Sequence, residues 1–429
     1  MPHLLQLLVL VAIIVTAAKL AGAAATRVGQ PAVFGEILAG LLLGPTLLNV
    51  LGWPIFATRP PLEGVEGTAP LITIVRDLAD IGVILLMFVA GIETDLGEMR
   101  RVGKVAFSTA TGGVVLPLVG GALTARAFGL PFLWEGLFIG TILTATSVSI
   151  SAQTLMEIGA LRSKEGSAIL GAAVIDDVMG IMLLSAVIAL ARSGGRPDLA
   201  VLTWTVVRIV IFFAIALFFG RYLASLARAA DRLGVSQGLL ALVAVVAFLY
   251  AWGAEYVGGM AAITGSYVAG VFFGCTRYKE RIDQGIHPLT YSILVPIFFV
   301  SIGLEANGRE LGGDLWFTFV LVAVATLTKA IGAGGSAWLS GFSGRRSLRV
   351  GVGMISRGEV GLIVASYGLS HGIINRNVFS ASVIMVLLTT MITPPLLRLV
   401  FRARRPHRAP IVEETVAGPP EEIDRRPRR

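Results

Sequence analysis

The chain has 429 residues, of which 55% are hydrophobic and 14% charged, with a formal net charge of +8. Soluble domains average about 25% charged residues, so this composition, with a mean hydropathy of +0.81, excludes a soluble globular chain and points to an all-α polytopic membrane protein. The positive balance fits Lys- and Arg-rich cytoplasmic loops better than nucleic-acid binding. The single cysteine, Cys275, excludes an intrachain disulfide framework and any multi-cysteine metal site.

Apolar windows suited to transmembrane helices fall at about residues 3–25, 30–50, 71–92, 104–125, 132–156, 166–191, 199–222, 237–255, 258–275, 287–304, 314–340, 349–371 and 377–400, thirteen in all. The first ends in AGAAA, as a signal peptide does. It has no basic segment ahead of the apolar run and holds Lys19 within it, so it is read as a retained helix. Loops after odd-numbered spans hold basic clusters such as Arg100, Arg101 and Lys104, then Arg277, Lys279 and Arg281, then Arg345, Arg346 and Arg349. The alternate loops hold isolated residues such as Arg126, Arg309 and Arg376, with Arg192 and Arg196 the densest case. The positive-inside rule then predicts an outside N-terminus and a cytoplasmic C-terminus. Residues 401–429, Pro-rich and charged, form an expected disordered cytoplasmic tail whose basic start suits anionic lipid.

The fifth span contains TATSVSIS, rich in hydroxyl and β-branched residues that bond backbone in competition with a helix. The sixth contains GAAVIDDVMGIMLL, with Asp176 and Asp177 adjacent in an apolar run. A carboxylate at mid-bilayer costs about 2.5–3.5 kcal/mol on insertion scales and marks a functional site by default. The eleventh span holds Lys329, and the twelfth holds SRGEVG, with Arg357 and Glu359 between glycines. Counting at about 1.5 Å per residue places Asp176, Asp177, Lys329, Thr144, Thr146, Ser147, Arg357 and Glu359 in one layer of the bilayer. Helix breaks are expected at TATSV and SRGEV, since unwound backbone at that depth must line a cavity or be buried in protein. Thr144, Thr146 and Ser147 are then candidate backbone and hydroxyl support for a cation, and Arg357 with Glu359 a structural ion pair. The histidines (His3, His287, His371 and His407) are scattered without metal-ligand spacing.

The two halves echo each other. LLMFVAGIETDL (Leu85 to Leu96) resembles PIFFVSIGLEAN (Pro296 to Asn307), and EILAGLLLG (Glu36 to Gly44) resembles SYVAGVFFG (Ser266 to Gly274). At the offset of the first pair, TATSV falls on SRGEV. The alternating topology runs the paired segments in opposite directions, an inverted repeat of the kind secondary transporters place around a midplane site. Adjacent carboxylates offer hard oxygens to a monovalent cation, and a buried acid beside a lysine can hold either that cation or a proton. Competition at one site, exposed alternately to each side, is exchange. A sodium-coupled organic-anion symporter on a similar scaffold has no need of Lys329, a channel lacks any filter-like loop here, and no nucleophile–base or metal constellation suggests an enzyme.

AAVIDDVMGIMLL, TLTKAIGAGG around Lys329, MISRGEVGLIVA, TATSV and QPAVFGEILAGLLLGP together resemble the monovalent cation:proton antiporter-2 family, most closely its NapA-like sodium/proton antiporters. The resemblance spans Gln30 to about Leu397. It implies a thirteen-helix homodimer in the bacterial inner membrane, with two broken crossing helices and no cofactor beyond the transported Na⁺ or Li⁺ and H⁺. It divides the chain into dimerisation helices at 1–100 and 236–310, a mobile core at 101–192 and 311–400, and a linker helix at 193–235. In that scheme Asp177 carries cation and proton, while Asp176 forms a salt bridge with Lys329 that breaks as the ion binds. The exchange is expected to be electrogenic. Potassium/proton relatives often carry a C-terminal nucleotide-binding domain, so the short tail favours sodium, with K⁺/H⁺ exchange by the same residues as the alternative.

Overall fold

A helix gains about 1.5 Å per residue, so the apolar windows are long enough to cross hydrocarbon only if they stay helical, and most do. The computed structural model describes residues 2–56, 71–192, 199–232, 236–305 and 315–401. The expected tail beyond Phe401, the loop residues Arg196 and Arg309, Asn307 and the side chains of Arg192 and Glu359 lie outside the described residues.

In chain order the helices are α1 (His3–Arg27), α2 (Ala32–Leu43), α3 (Leu71–Glu93), α4 (Leu96–Ala127), α5 (Leu137–Thr144), α6 (Val148–Glu157), α7 (Lys164–Arg192), α8 (Leu199–Gly220), α9 (Leu223–Arg232), α10 (Gly238–Tyr256) and α11 (Ala262–Gly274). There follow α12 (Lys279–Leu289), α13 (Val295–Glu305), α14 (Leu315–Leu339), α15 (Gly344–Gly353), α16 (Glu359–Ser370) and α17 (Arg376–Phe401). No strand occurs among the described residues. Nine helical stretches there are long and apolar enough to cross a membrane, and Ala32–Leu43, Ala262–Gly274 and Val360–Leu369 are shorter apolar helices. A helix or broken helix lies over each of the thirteen windows.

Three departures from the windows have simple causes. Helix α4 begins eight residues before its window because Asp95 accepts hydrogen bonds from the backbone of Gly97 (2.8 Å) and Glu98 (3.2 Å), an N-cap that starts the helix in polar sequence. Helix α9 occupies a stretch too polar to count as a span, and α12 is the polar first part of the span that α13 completes. Each is amphipathic, burying Leu223, Ala227 and Ala230 in one case and Ile282 and Ile286 in the other.

The helices pack as two groups. In one, α4 packs on α14, α7 and α5, while α14 also packs on α15 and α17, and α16 on α5 and α17. In the other, α3 packs on α11 and α13, α2 on α1 and α13, and α10 on α11. The groups meet where α6 contacts α3 and α2, and where α17 contacts α2. The order α14, broken α15/α16, α17 repeats the order α4, broken α5/α6, α7.

Close approach in each group depends on glycine. A Cβ on Gly332 of α14 would strike the carbonyl of Gly112 on α4, and one on Gly91 of α3 would strike the carbonyl of Tyr267 on α11. Without a hydrophobic force between helices in lipid, such small-residue contacts carry much of the packing. On α14 the division of faces is sharp: Leu327 is 58% and Ile331 61% exposed, whereas Lys329 between them is 0%. The apolar residues face outward and the charge faces the bundle.

Gly332→Ala is predicted to lower the melting temperature of the detergent-purified protein by roughly several degrees, as overpacking of about 1–3 kcal/mol would. Gly335→Ala, on the same helix with nothing within 4 Å of its added Cβ, is predicted to hold or raise it. Thermal size-exclusion melts of the two variants compare them, and equal melting would refute the glycine-contact reading.

Candidate functional site

Both predicted breaks are present and they meet. Helix α5 ends at Thr144 and α6 starts at Val148, while α15 ends at Gly353 and α16 starts at Glu359. The two unwound segments hold each other through Ser147 N–H to the Ser356 carbonyl (2.9 Å) and Ser356 Oγ to the Ser147 carbonyl (2.9 Å). Ser151 Oγ donates to the Gly353 carbonyl at 2.6 Å and lies 3.1 Å from Ser356 Oγ. The hydroxyl-rich sequence therefore does two things. It weakens the helix locally, and it satisfies the backbone groups that the break exposes.

Each break leaves a helix C-terminus, the negative end of a macrodipole, inside the bundle. A cation sits at each. Lys329 Nζ donates to the Thr144 carbonyl at 2.6 Å, at the end of α5. Arg357 Nη1 donates to the carbonyls of Ile355 (2.9 Å) and Met354 (3.3 Å), just past the end of α15, and Nη2 donates to Ala325 on α14 (3.0 Å). Arg357 is 0% exposed, and its own carbonyl accepts from Thr390 of α17 at 2.5 Å. Its described bonds thus go to backbone. The expected pairing with Glu359 falls on a side chain outside the described residues.

Lys329 also reaches the acidic pair. Its Nζ lies 3.0 Å from Asp176 Oδ2 and 3.2 Å from Oδ1, and Thr146 Oγ1 donates to Oδ2 at 2.5 Å. A Cβ added to Gly113 of α4 would come into van der Waals contact with the tip of Lys329. Asp176 and Asp177 are 3% and 8% exposed. Asp177 Oδ2 accepts from Thr264 Oγ1 of α11 at 2.9 Å.

Of the residues singled out from sequence, Asp176, Lys329, Thr144 and Thr146 come into direct contact. Thr144 takes part through its carbonyl, since its hydroxyl turns back to the Thr141 carbonyl at 2.8 Å. Ser147 serves the crossing through its backbone, and its hydroxyl lies 3.1 Å from Ser149 Oγ rather than against either acid. Thr264 was missed, because a lone threonine near the start of an apolar helix carries no signal. No cluster of three or more His, Cys, Asp or Glu with metal-holding geometry occurs among the described residues.

A second polar feature lies between the helix groups. A cavity of about 1240 Å³ is lined by Lys19, Glu36, Gln153, Glu157, Tyr291 and Arg398 among others. Glu157, the last residue of α6, accepts from the backbone of Ala32 (2.6 Å) and Val33 (3.3 Å), capping the first turn of α2 in the opposite group. Lys19 Nζ is 3.5 Å from Glu36 Oε1. Asp176 and Asp177 are not among the residues lining this cavity.

A family model described as sodium/hydrogen exchanger, transmembrane, matches residues 10–403. The chain is 38% identical over 395 residues to the Na⁺/H⁺-K⁺ antiporter GerN of Bacillus cereus, covering 92% of this chain and 96% of GerN. It is 34% identical over 372 residues to a Na⁺/H⁺ antiporter of Enterococcus hirae, covering 87% and 92% of the two chains. It is 32% identical over 423 residues to the high-affinity Na⁺/H⁺ antiporter NhaS3 of Synechocystis, covering 93% and 90%. Among solved structures, the sodium proton antiporter MjNhaP1 of Methanocaldococcus jannaschii shares the fold, with a TM-score of 0.66 at 16% identity over 92% of this chain and 96% of that one. A paired-acid and lysine site at a helix crossing, on a chain matched almost end to end, places this protein in the sodium/hydrogen exchanger family of membrane cation:proton antiporters.

Proposed function

We propose that this protein exchanges Na⁺, and Li⁺, for H⁺ by alternating access, with Asp177 as the carrier of cation and proton. The observation that carries the reading is the division of labour between adjacent acids: Asp176 is engaged by Lys329 and Thr146, whereas Asp177 faces α11 across the boundary between helix groups. With Lys329 protonated, the two aspartates and the lysine sum to one negative charge. One proton or one Na⁺ at Asp177 neutralises it, and the two compete.

The same arithmetic bears on stoichiometry. If a bound Na⁺ draws Asp176 away from Lys329, the ammonium is left fully buried beside a cation, a state that costs several kcal/mol. Release of the lysine proton relieves it, so two protons leave as one Na⁺ binds, and the exchange moves net charge. In this cycle the group holding α4–α7 and α14–α17 moves as the core against the other helices, which form the dimer contact of a homodimer. The N-terminus is placed outside and the C-terminus in the cytoplasm of a bacterial inner membrane, following the basic loops. A second reading, K⁺/H⁺ exchange at the same residues, is favoured by GerN, whose name includes K⁺.

Proteoliposomes with an imposed pH gradient test the assignment. Na⁺ and Li⁺ are predicted to dissipate the gradient and K⁺ to do so far less; equal responses to K⁺ and Na⁺ would remove the sodium selectivity. Asp177→Asn is predicted to abolish the response, and retained wild-type exchange would take Asp177 out of the site.

Lys329→Met is predicted to destabilise strongly, since removing one member of a buried pair typically costs about 3–5 kcal/mol. Adding Asp176→Asn should recover part of that loss, so the double variant melts higher than the sum of the single effects. Where Lys329→Met still transports, its rate should lose the wild type's dependence on membrane potential. Additive melting effects would contradict the pairing, and unchanged potential dependence would contradict the lysine's part in coupling.

A further inference from the structure

Thr264 stands at the start of α11, where the chain reverses sharply out of α10. Gly259 supplies the positive φ of 67° that this turn needs, and Thr264 N–H bonds back to the Ala261 carbonyl at 3.0 Å. The main neighbours of α11 are α3 and α10, while those of α7 are α4, α5, α6, α8 and α15. On its side of the boundary α7 offers Val178, Ile181 and Met182 to the apolar cluster of the opposite group. Through this apolar seam runs the bond from Thr264 Oγ1 to Asp177 Oδ2, 2.9 Å long, with Thr264 2% and Asp177 8% exposed.

A hydroxyl has one proton to give and two lone pairs to offer. Here the proton is directed at Asp177, which leaves the lone pairs beside the same carboxylate. A small hard cation stripped of water needs several oxygen ligands, and two carboxylates cannot supply them all. A neutral oxygen adds a ligand without adding charge.

We propose that Thr264 is a ligand of the transported alkali cation, supplied from the helix group opposite the aspartates. The cation site is therefore shared across the moving boundary. It is complete when α7 and α11 face each other and loses a ligand when they separate, so cation affinity falls as the core leaves this position. The inference rests on Asp177 as the carrier and adds to it a residue outside the crossing.

The test compares Thr264→Val, which keeps the shape and removes the hydroxyl, with Thr264→Ser, which keeps the hydroxyl. Both are measured in proteoliposomes across a Na⁺ series, beside Asp177→Asn. Thr264→Val should raise the KM for Na⁺ roughly five- to tenfold with a smaller effect on maximal rate, and Thr264→Ser should stay within about twofold of the wild type. Should Val impair transport too far for kinetics, the rise in melting temperature that Na⁺ gives the purified protein provides the second readout, expected to be lost in Val and kept in Ser. A wild-type KM in Val, or equal damage in Val and Ser, would overturn the ligand assignment. If Asp177→Asn still exchanges Na⁺, the carrier reading fails regardless of Thr264. If it is silent while Val keeps a wild-type KM, only Thr264 is withdrawn.

Discussion

The buried ion pair of Asp176 and Lys329 sets the terms for the rest of the molecule. Two charges taken out of water are tolerated only where their attraction is supplemented by further hydrogen bonds. Here Lys329 gains the Thr144 carbonyl at the end of α5, and Asp176 gains the Thr146 hydroxyl. The first of these depends on the break in the fifth span, because in a continuous helix the Thr144 carbonyl is spent on the next turn. The break therefore frees the acceptor that the buried charge uses. The same logic recurs at the second break, where Arg357 serves the carbonyls just past the end of α15.

Around this centre the fold separates two kinds of surface. Large apolar side chains such as Leu327, Ile331, Phe107 and Trp252 face outward, whereas Asp176, Asp177, Lys329 and Arg357 are buried. Glycine at the α4/α14 and α3/α11 contacts lets the helix backbones approach closely. At the boundary between the helix groups polar contacts bridge the two sides, one between Asp177 and Thr264 and another between Glu157 and the α2 backbone. In the proposed cycle those are the bonds that must be exchanged as the core moves.

Much of this was legible in the sequence, for physical reasons. Span positions follow from apolar length, and the breaks at TATSV and SRGEV from hydroxyl and glycine content at a depth where water is absent. Asp176, Asp177 and Lys329 stood out because charge in hydrocarbon is rare. What the sequence concealed depends on direction rather than composition. Nothing local tells that the Ser147 hydroxyl turns to Ser149, that Thr144 acts through its carbonyl, or that Arg357 bonds to backbone. Thr264 was hidden for a different reason: it lies 87 residues from its partner Asp177 in sequence, on an apolar helix, α11, that carries no charged residue. The amphipathic α9 and α12 were passed over because a search for apolar windows ignores helices that bury only one face.

In the proposed cycle one cation and protons take turns at the same buried acids. Calorimetric titration of the purified protein with Na⁺, in buffers of different ionisation enthalpy, counts the protons released per cation bound. Release of at least one proton per Na⁺ is expected, with two if Lys329 gives up its own, and no Na⁺-linked release in Asp177→Asn. Saturable Na⁺ binding with no proton release would contradict it.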